Sequence, residues 1–230
     1  MCGRMTLDPT TKFYERFEIS NRLDLTPRYN ITPTQDVPVV IRNSPNRIMM
    51  MRWGLIPYWA HADKIPTKMF NARAETITEK VSFKRLLPSR RCIVPASGYY
   101  EWQQTEAKGK QPYYIHDEAD AYLPFAGLYD IWKNPEGREI YSCTIITTQP
   151  TVSLQAIHTR MPVILEPTAE EVWLNPDVTD PQKLTPLLHP YAMLPVTGFE
   201  HYLLFYAPIG NRIQVIRVLH AARDYPTLFG

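Results

Sequence analysis

Glycine is scarce in this chain, with nine residues in 230 against 22 prolines. Proline fixes φ and removes an amide donor, so this balance argues against a helix bundle and predicts many short extended segments cut by turns. Cysteine is scarce as well: Cys2, Cys92 and Cys143 form no ligand-spaced pair and no even set. That argues against a zinc site and against an oxidised, secreted framework. No apolar run approaches the roughly 18 residues of a membrane span, and residues 1–30 lack the apolar core of a signal peptide, so a cytoplasmic location is expected. Net charge is only +2, too small an excess to indicate nucleic-acid binding by itself. There is no internal repeat and no low-complexity linker.

What is present fits a globular protein: 44% hydrophobic and 21% charged residues, in a chain long enough for one domain with a substantial core. Apolar, β-branched runs at 37–42, 48–53, 91–94, 111–116, 123–132, 141–148 and 161–165 are each bounded by Pro, Gly, Asn or Asp and predict strands. Helices are expected at 9–18, where Phe13 and Phe17 lie four apart, at 76–87, and at 168–174 with Thr168 as N-cap. Many strands with few helices predict an α+β fold around a closed or strongly curved sheet.

The second residue has a chemistry no other position offers. If Met1 is removed, Cys2 becomes a 1,2-aminothiol, whose α-amine (pKa about 7.7–8.0) and thiol (about 8.5) are both usable nucleophiles near neutral pH. Such a pair suits an aldehyde: the amine forms a Schiff base and the thiol closes a thiazolidine. A cysteine at residue 2 also fits simple burial. Downstream, Trp53-Gly54-Leu55-Ile56-Pro57-Tyr58-Trp59 sets two indoles around a turn, suited to stacking on unpaired bases or to filling the core. In Asn71-Ala72-Arg73-Ala74-Glu75 an extended backbone puts Asn71, Arg73 and Glu75 on one face, where an amide and a guanidinium can hold a phosphodiester. Glu101, inside Gly98-Tyr99-Tyr100-Glu101-Trp102, is flanked by aromatics that would raise its pKa for proton transfer. His158 and Arg160 in His158-Thr159-Arg160-Met161-Pro162 lie two apart, a hydrogen-bond donor beside a phosphate-binding cation. Each of these segments, taken singly, also reads as ordinary surface or packing.

Together, Met1-Cys2-Gly3-Arg4, Arg28-Tyr29-Asn30-Ile31-Thr32-Pro33, Trp53-Gly54-Leu55-Ile56-Pro57, the Asn71 and Glu101 segments and His158 to Leu165 resemble, in order and approximate spacing, the motifs of the SOS-response-associated peptidase (SRAP) family. The resemblance implies one α+β domain with a barrel-like, mostly antiparallel sheet, a few peripheral helices and a basic cleft for single-stranded DNA carrying abasic sites. It implies autoproteolytic loss of Met1 and then a thiazolidine crosslink from Cys2 to the ring-opened abasic aldehyde, a self-processing peptidase and lyase-type chemistry that shields the lesion in the DNA damage response. By motif, Asn71 would orient Cys2, Glu101 would act as acid and base, and His158 would promote ring opening. Arg4, Arg73 and Arg160 would hold phosphates and the Trp53 loop would wedge beside the lesion. No cofactor and no metal is implied. The alternatives are a non-covalent single-stranded or modified-DNA binding module, or a cysteine-type peptidase acting on other proteins.

The resemblance is expected to end near residue 198. In residues 199–230, a hairpin at 201–219 followed by His220-Ala221-Ala222-Arg223-Asp224 looks like the end of a ParE/RelE-type toxin. The stretch is too short for a complete toxin; it would substitute for the family's last strands or, in the alternative, keep a binding function for an antitoxin-like protein partner.

Overall fold

The computed structural model describes residues 2–105, 109–117, 120–151 and 153–189, and the backbone of three further strands. In chain order the strands are β1 (Met5–Leu7), β2 (Arg28–Ile31), β3 (Asp36–Ile41), β4 (Arg47–Trp53), β5 (Asn71–Arg73), β6 (Arg91–Ala96), β7 (Gly98–Gln104), β8 (Lys110–Ile115), β9 (Leu123–Lys133), β10 (Glu139–Thr148), β11 (Met161–Pro162), β12 (Ala192–Val196), β13 (Phe199–Ile209) and β14 (Arg212–His220). The helices are short: α1 (Thr11–Arg16), α2 (Val81–Lys84), α3 (Pro167–Leu174) and α4 (Pro181–Leu184).

Five strands close into a barrel. β10 runs parallel to β4, and the remaining pairs β4–β3, β3–β6, β6–β9 and β9–β10 are antiparallel and return to the start. Closure abolishes sheet edges, and it explains the unalternating apolar runs. Every residue of β6 is buried, as are the first six of β9. Gly127 lies where strands crowd: a Cβ there would stand 3.0 Å from both the Cys92 sulfur and the Thr144 carbonyl oxygen. The mixed, mostly antiparallel sheet with few peripheral helices is as the sequence predicts.

A second sheet, in the order β2-β1-β7-β8, lays the start of the chain along β7. Helix α1 sits beside it, with Phe13 edge-on to Phe17 and Tyr122, while Arg16 reaches Asp120 and Glu170 to tie α1 to α3. Three local expectations change. The helix predicted over 76–87 is only α2 preceded by turns, because Lys80 is extended. The N-cap of α3 is Glu166, not Thr168, since Pro167 occupies the first helical position that its fixed φ suits. The strand predicted over 161–165 pairs only at β11 and at one bridge from Ile164 to Phe125; Pro162 cannot donate to a ladder.

Beyond residue 191, β12, β13 and β14 form an antiparallel three-stranded sheet in that order, so the hairpin expected at 201–219 is present in the backbone. Residues 221–230, including Ala221 to Asp224 of the toxin-like stretch, lie outside the described residues. Among the described residues no helix is long and apolar enough to cross a membrane.

Candidate active site

The β1–β7 pairing positions Cys2. Met5 faces Tyr99, Thr6 faces Gly98, and the Tyr100 amide donates to the Arg4 carbonyl at 2.9 Å, so the residues before Met5 are carried toward Glu101. From the barrel side, β5 runs parallel to β10 with Asn71 opposite Ile145. Asn71 Nδ2 donates to the Cys2 carbonyl at 2.8 Å. Two strands distant in sequence thus converge on residue 2. Met1 lies outside the described residues.

Cys2 is fully buried. Burial pushes its thiol well above the ordinary range and the negative charge of Glu101 adds to this, against the opposing charge of the amino terminus. The sulfur is therefore held as a thiol. Glu101 is buried in the middle of β7 rather than exposed at a strand end. Burial raises its pKa, while the amino-terminal charge and His158 pull it down. Its Oε2 lies 3.9 Å from His158 Nε2.

The loop before β11 sets the histidine. The Arg160 amide donates to His158 Nδ1 at 3.0 Å. The Arg160 carbonyl lies 3.2 Å from the same nitrogen, so Nδ1 meets both a donor and an acceptor and serves either ring tautomer, while Nε2 is the nitrogen that faces Glu101. Gln103 Nε2 donates to the Ala156 carbonyl at 2.8 Å, tying this loop to β7. Between the two lies a cleft of about 680 Å³ lined by Glu101, Trp102, Lys110 and His158 among others. Glu101 and His158, from two motifs, therefore line one cleft, and Cys2, held by Asn71, lies buried close enough to Glu101 to feel its charge.

The cations divide. Arg4 stacks on Trp102, its guanidinium carbon 5.4 Å from the ring centroid. Arg73 is exposed on β5. Arg160 is not presented as a free phosphate ligand. It binds both Glu75 oxygens, at 2.5 and 3.0 Å, and the Thr147 carbonyl at 2.5 Å. Glu75 is partly buried, which works against ionisation, yet the bond from Arg160 holds its pKa below the ordinary value.

Trp53 corrects the sequence reading. It is completely buried at the end of β4, donates Nε1–H to the Phe70 carbonyl at 2.9 Å and meets Phe70 edge-on. It cannot wedge between bases from that position; the exposed rings of its loop are Tyr58 and Trp59, at 58% and 49% exposure. Sequence reading also missed Tyr99, whose buried hydroxyl has no hydrogen-bond partner among the described residues. Burial raises its pKa, and the neighbouring Cys2 and Glu101 side chains raise it further. Its signal was the period-2 spacing to Glu101, which puts both residues on one face of β7. Among the described residues, no cluster of three His, Cys, Asp or Glu side chains could hold a metal ion.

A closed barrel flanked by a sheet that carries Cys2 to a buried glutamate, itself beside a half-buried histidine, defines a class of protein, and sequence comparison agrees on it. The chain belongs to the SOS response associated peptidase (SRAP) family, matched over residues 1–202. It is 44% identical to the abasic site processing protein YoqW of Bacillus subtilis over 94% of this chain and 99% of that protein. It is 38% identical to the abasic site processing protein HMCES of Gallus gallus, over 65% of this chain and 54% of that protein. A crystal structure of a Bacteroides thetaiotaomicron protein superposes with a TM-score of 0.75 at 31% identity, covering 81% of this chain and 86% of that one.

Proposed function

We propose that this protein processes abasic sites in single-stranded DNA by forming a thiazolidine crosslink through Cys2 after loss of Met1. The observation that carries the reading is the chain of neighbours from Asn71 through the buried Cys2 to Glu101 and His158, the last two of which line the cleft. The relatives named for abasic-site processing support it.

The chemistry follows from the groups present. With Met1 in place the nitrogen of Cys2 is an amide and is not nucleophilic. Hydrolysis of the Met1–Cys2 bond by water frees an amine, and Glu101 serves as the base for the water and the acid for the departing nitrogen. An abasic sugar rests mostly as a closed hemiacetal, so exposing its aldehyde needs a proton moved onto the ring oxygen and one removed from the hydroxyl at the former base position. The His158 imidazole and Glu101 supply that exchange. The Cys2 amine then adds to the carbonyl and water leaves, giving an imine. The thiol adds to the imine carbon and its proton passes to nitrogen, so the net release is one water. Asn71 holds the Cys2 carbonyl throughout, which fixes the orientation of amine and thiol.

A thiol kept protonated by burial suits this order, in which the amine attacks first. Lesion specificity comes from the aldehyde, and phosphate contacts add affinity without sequence preference. Mass analysis of the purified chain and covalent capture of an abasic oligonucleotide test the reading. The expected results are a chain lacking Met1 and a denaturation-resistant adduct that Cys2→Ser does not form. An adduct of equal yield from Cys2→Ser would overturn the thiazolidine, and binding of the oligonucleotide with no denaturation-resistant adduct from the wild type would favour the non-covalent alternative.

A further inference from the structure

The solvent face of the β2-β1-β7-β8 sheet carries a row of rings for which the crosslinking chemistry has no use. Every side chain of β8 except Ile115 is exposed, and Tyr114 has 45% of its surface in water. Tyr100 and Tyr114 are direct cross-strand partners, with ring centroids 5.1 Å apart. On one side Tyr114 stacks on the exposed His116, at 5.3 Å and 24° between planes. On the other, Tyr100 lies 6.5 Å from Trp102, which in turn carries the Arg4 guanidinium. Residues two apart on a strand share a face, so these rings form one continuous line.

The line is built rather than incidental. Tyr114 crosses β7 at Gly98, where a Cβ would stand 2.5 Å from the phenol ring. Glycine at 98 is what allows the ring to lie flat on the sheet. The hydroxyl is pinned as well, 3.0 Å from Thr6 Oγ1 and donating to the Ser97 carbonyl at 3.3 Å. A ring fixed flat and left half in water gains less from burial than a core aromatic and presents a rigid π-face.

We propose that this row, His116–Tyr114–Tyr100–Trp102 capped by Arg4, is a stacking track for unpaired bases of the DNA strand that leaves the lesion cleft. The inference rests on the function proposed above. Single-stranded nucleic acid is the occupant for two reasons. The track is continuous with the cleft, because Trp102 lines the cleft beside Glu101 and His158 while standing in the row. Arg4 and Lys110 place cations at that end, as a phosphate backbone running over aromatic platforms requires. Paired bases offer no free face, so the track selects single strands and extends to one side of the lesion only.

The test uses oligonucleotides with one abasic site and 2-aminopurine at successive positions on either side. Wild-type protein should quench fluorescence at consecutive positions on one side and leave the other side bright. Tyr114→Leu with His116→Ala should abolish the distal quenching and lower affinity for a long arm by about 10-fold or more, about 10-fold lying in the range for losing one stacked base. Tyr114→Phe should keep both. His116→Ala alone, a change at an exposed residue, should remove the most distal step even if Tyr114→Leu fails to fold. Crosslinking of a short oligonucleotide without the arm should be the same in all variants. Quenching that is symmetric about the lesion, or unchanged in both His116→Ala and the double variant, overturns the track. Loss of short-oligonucleotide crosslinking in the wild type overturns the reading beneath it and leaves the quenching result to judge the track.

Discussion

Glu101 shows how one buried carboxyl serves reaction and stability in opposite senses. Burial raises its pKa in the folded chain, so the native state binds the proton more tightly than the unfolded state does. The contribution of Glu101 to stability is therefore fully present below the ordinary carboxylate pKa of about 4.3, and it is lost as pH rises through the higher folded value. A carboxyl whose pKa burial raises is better matched to proton exchange with the sugar and the amine than an ordinary one. Glu101→Gln keeps the shape and removes the titration. Thermal melting across pH should show the wild type losing stability relative to Glu101→Gln as pH rises from the acid side, while Glu101→Gln fails to form the DNA adduct. Parallel melting curves would contradict a raised pKa. The candidate site residues were legible in sequence only jointly, because each segment alone reads as ordinary surface or packing and it is their order and spacing that resembles a family's motifs. What sequence could not reveal is their state: Cys2 and Glu101 are buried and Arg160 is bonded to Glu75, and all three depend on which strands pack around them.

At the scale of elements, the segment from β4 through residue 60 separates packing from presentation. Trp53 ends the strand inside the barrel, and the following loop is tied down along its length. The Ile56 amide donates to Ser142 Oγ and the Tyr58 amide to Asp130 Oδ2, Arg85 pairs with the same carboxylate while lying over the Tyr58 ring, and Trp132 Nε1 donates to the Ala60 carbonyl. Trp53→Ala should cost about 3–5 kcal/mol in denaturant unfolding, the range for emptying a buried aromatic site. Trp59→Ala should change stability by no more than about 0.5 kcal/mol and weaken oligonucleotide binding. The reverse pattern would return the stacking role to Trp53. Most barrel strands were legible because strands buried on both faces read as apolar runs ended by turn residues. The three residues of β1 were not, since so short a strand shows no periodicity and exists only because β2 and β7 flank it. Trp53 and Trp59 carry the same residue type on either side of Gly54 and Pro57, and pattern alone does not say which ring turns inward.

For the molecule as a whole, the open question is what the last residues contribute. The alignment with YoqW covers 94% of this chain, more than residues 1–198 amount to, so part of the tail is shared with that relative. The strand β12 hydrogen-bonds only to β13 within its sheet, and β13 in turn to β14. We propose that residues 199–230 complete the fold rather than append a separate module. Their removal would strip β12 of its whole ladder and leave an unpaired edge, a template for association between chains. A chain ending at residue 198 should therefore melt at a lower temperature and form oligomers in size-exclusion chromatography. The Cys2 site is built entirely from β1, β5, β7 and the loop before β11, so whatever fraction of the shortened chain stays monomeric should still form the adduct. A fully stable, monomeric chain of 198 residues with wild-type adduct yield would show that the tail is dispensable and make it a separate appendage.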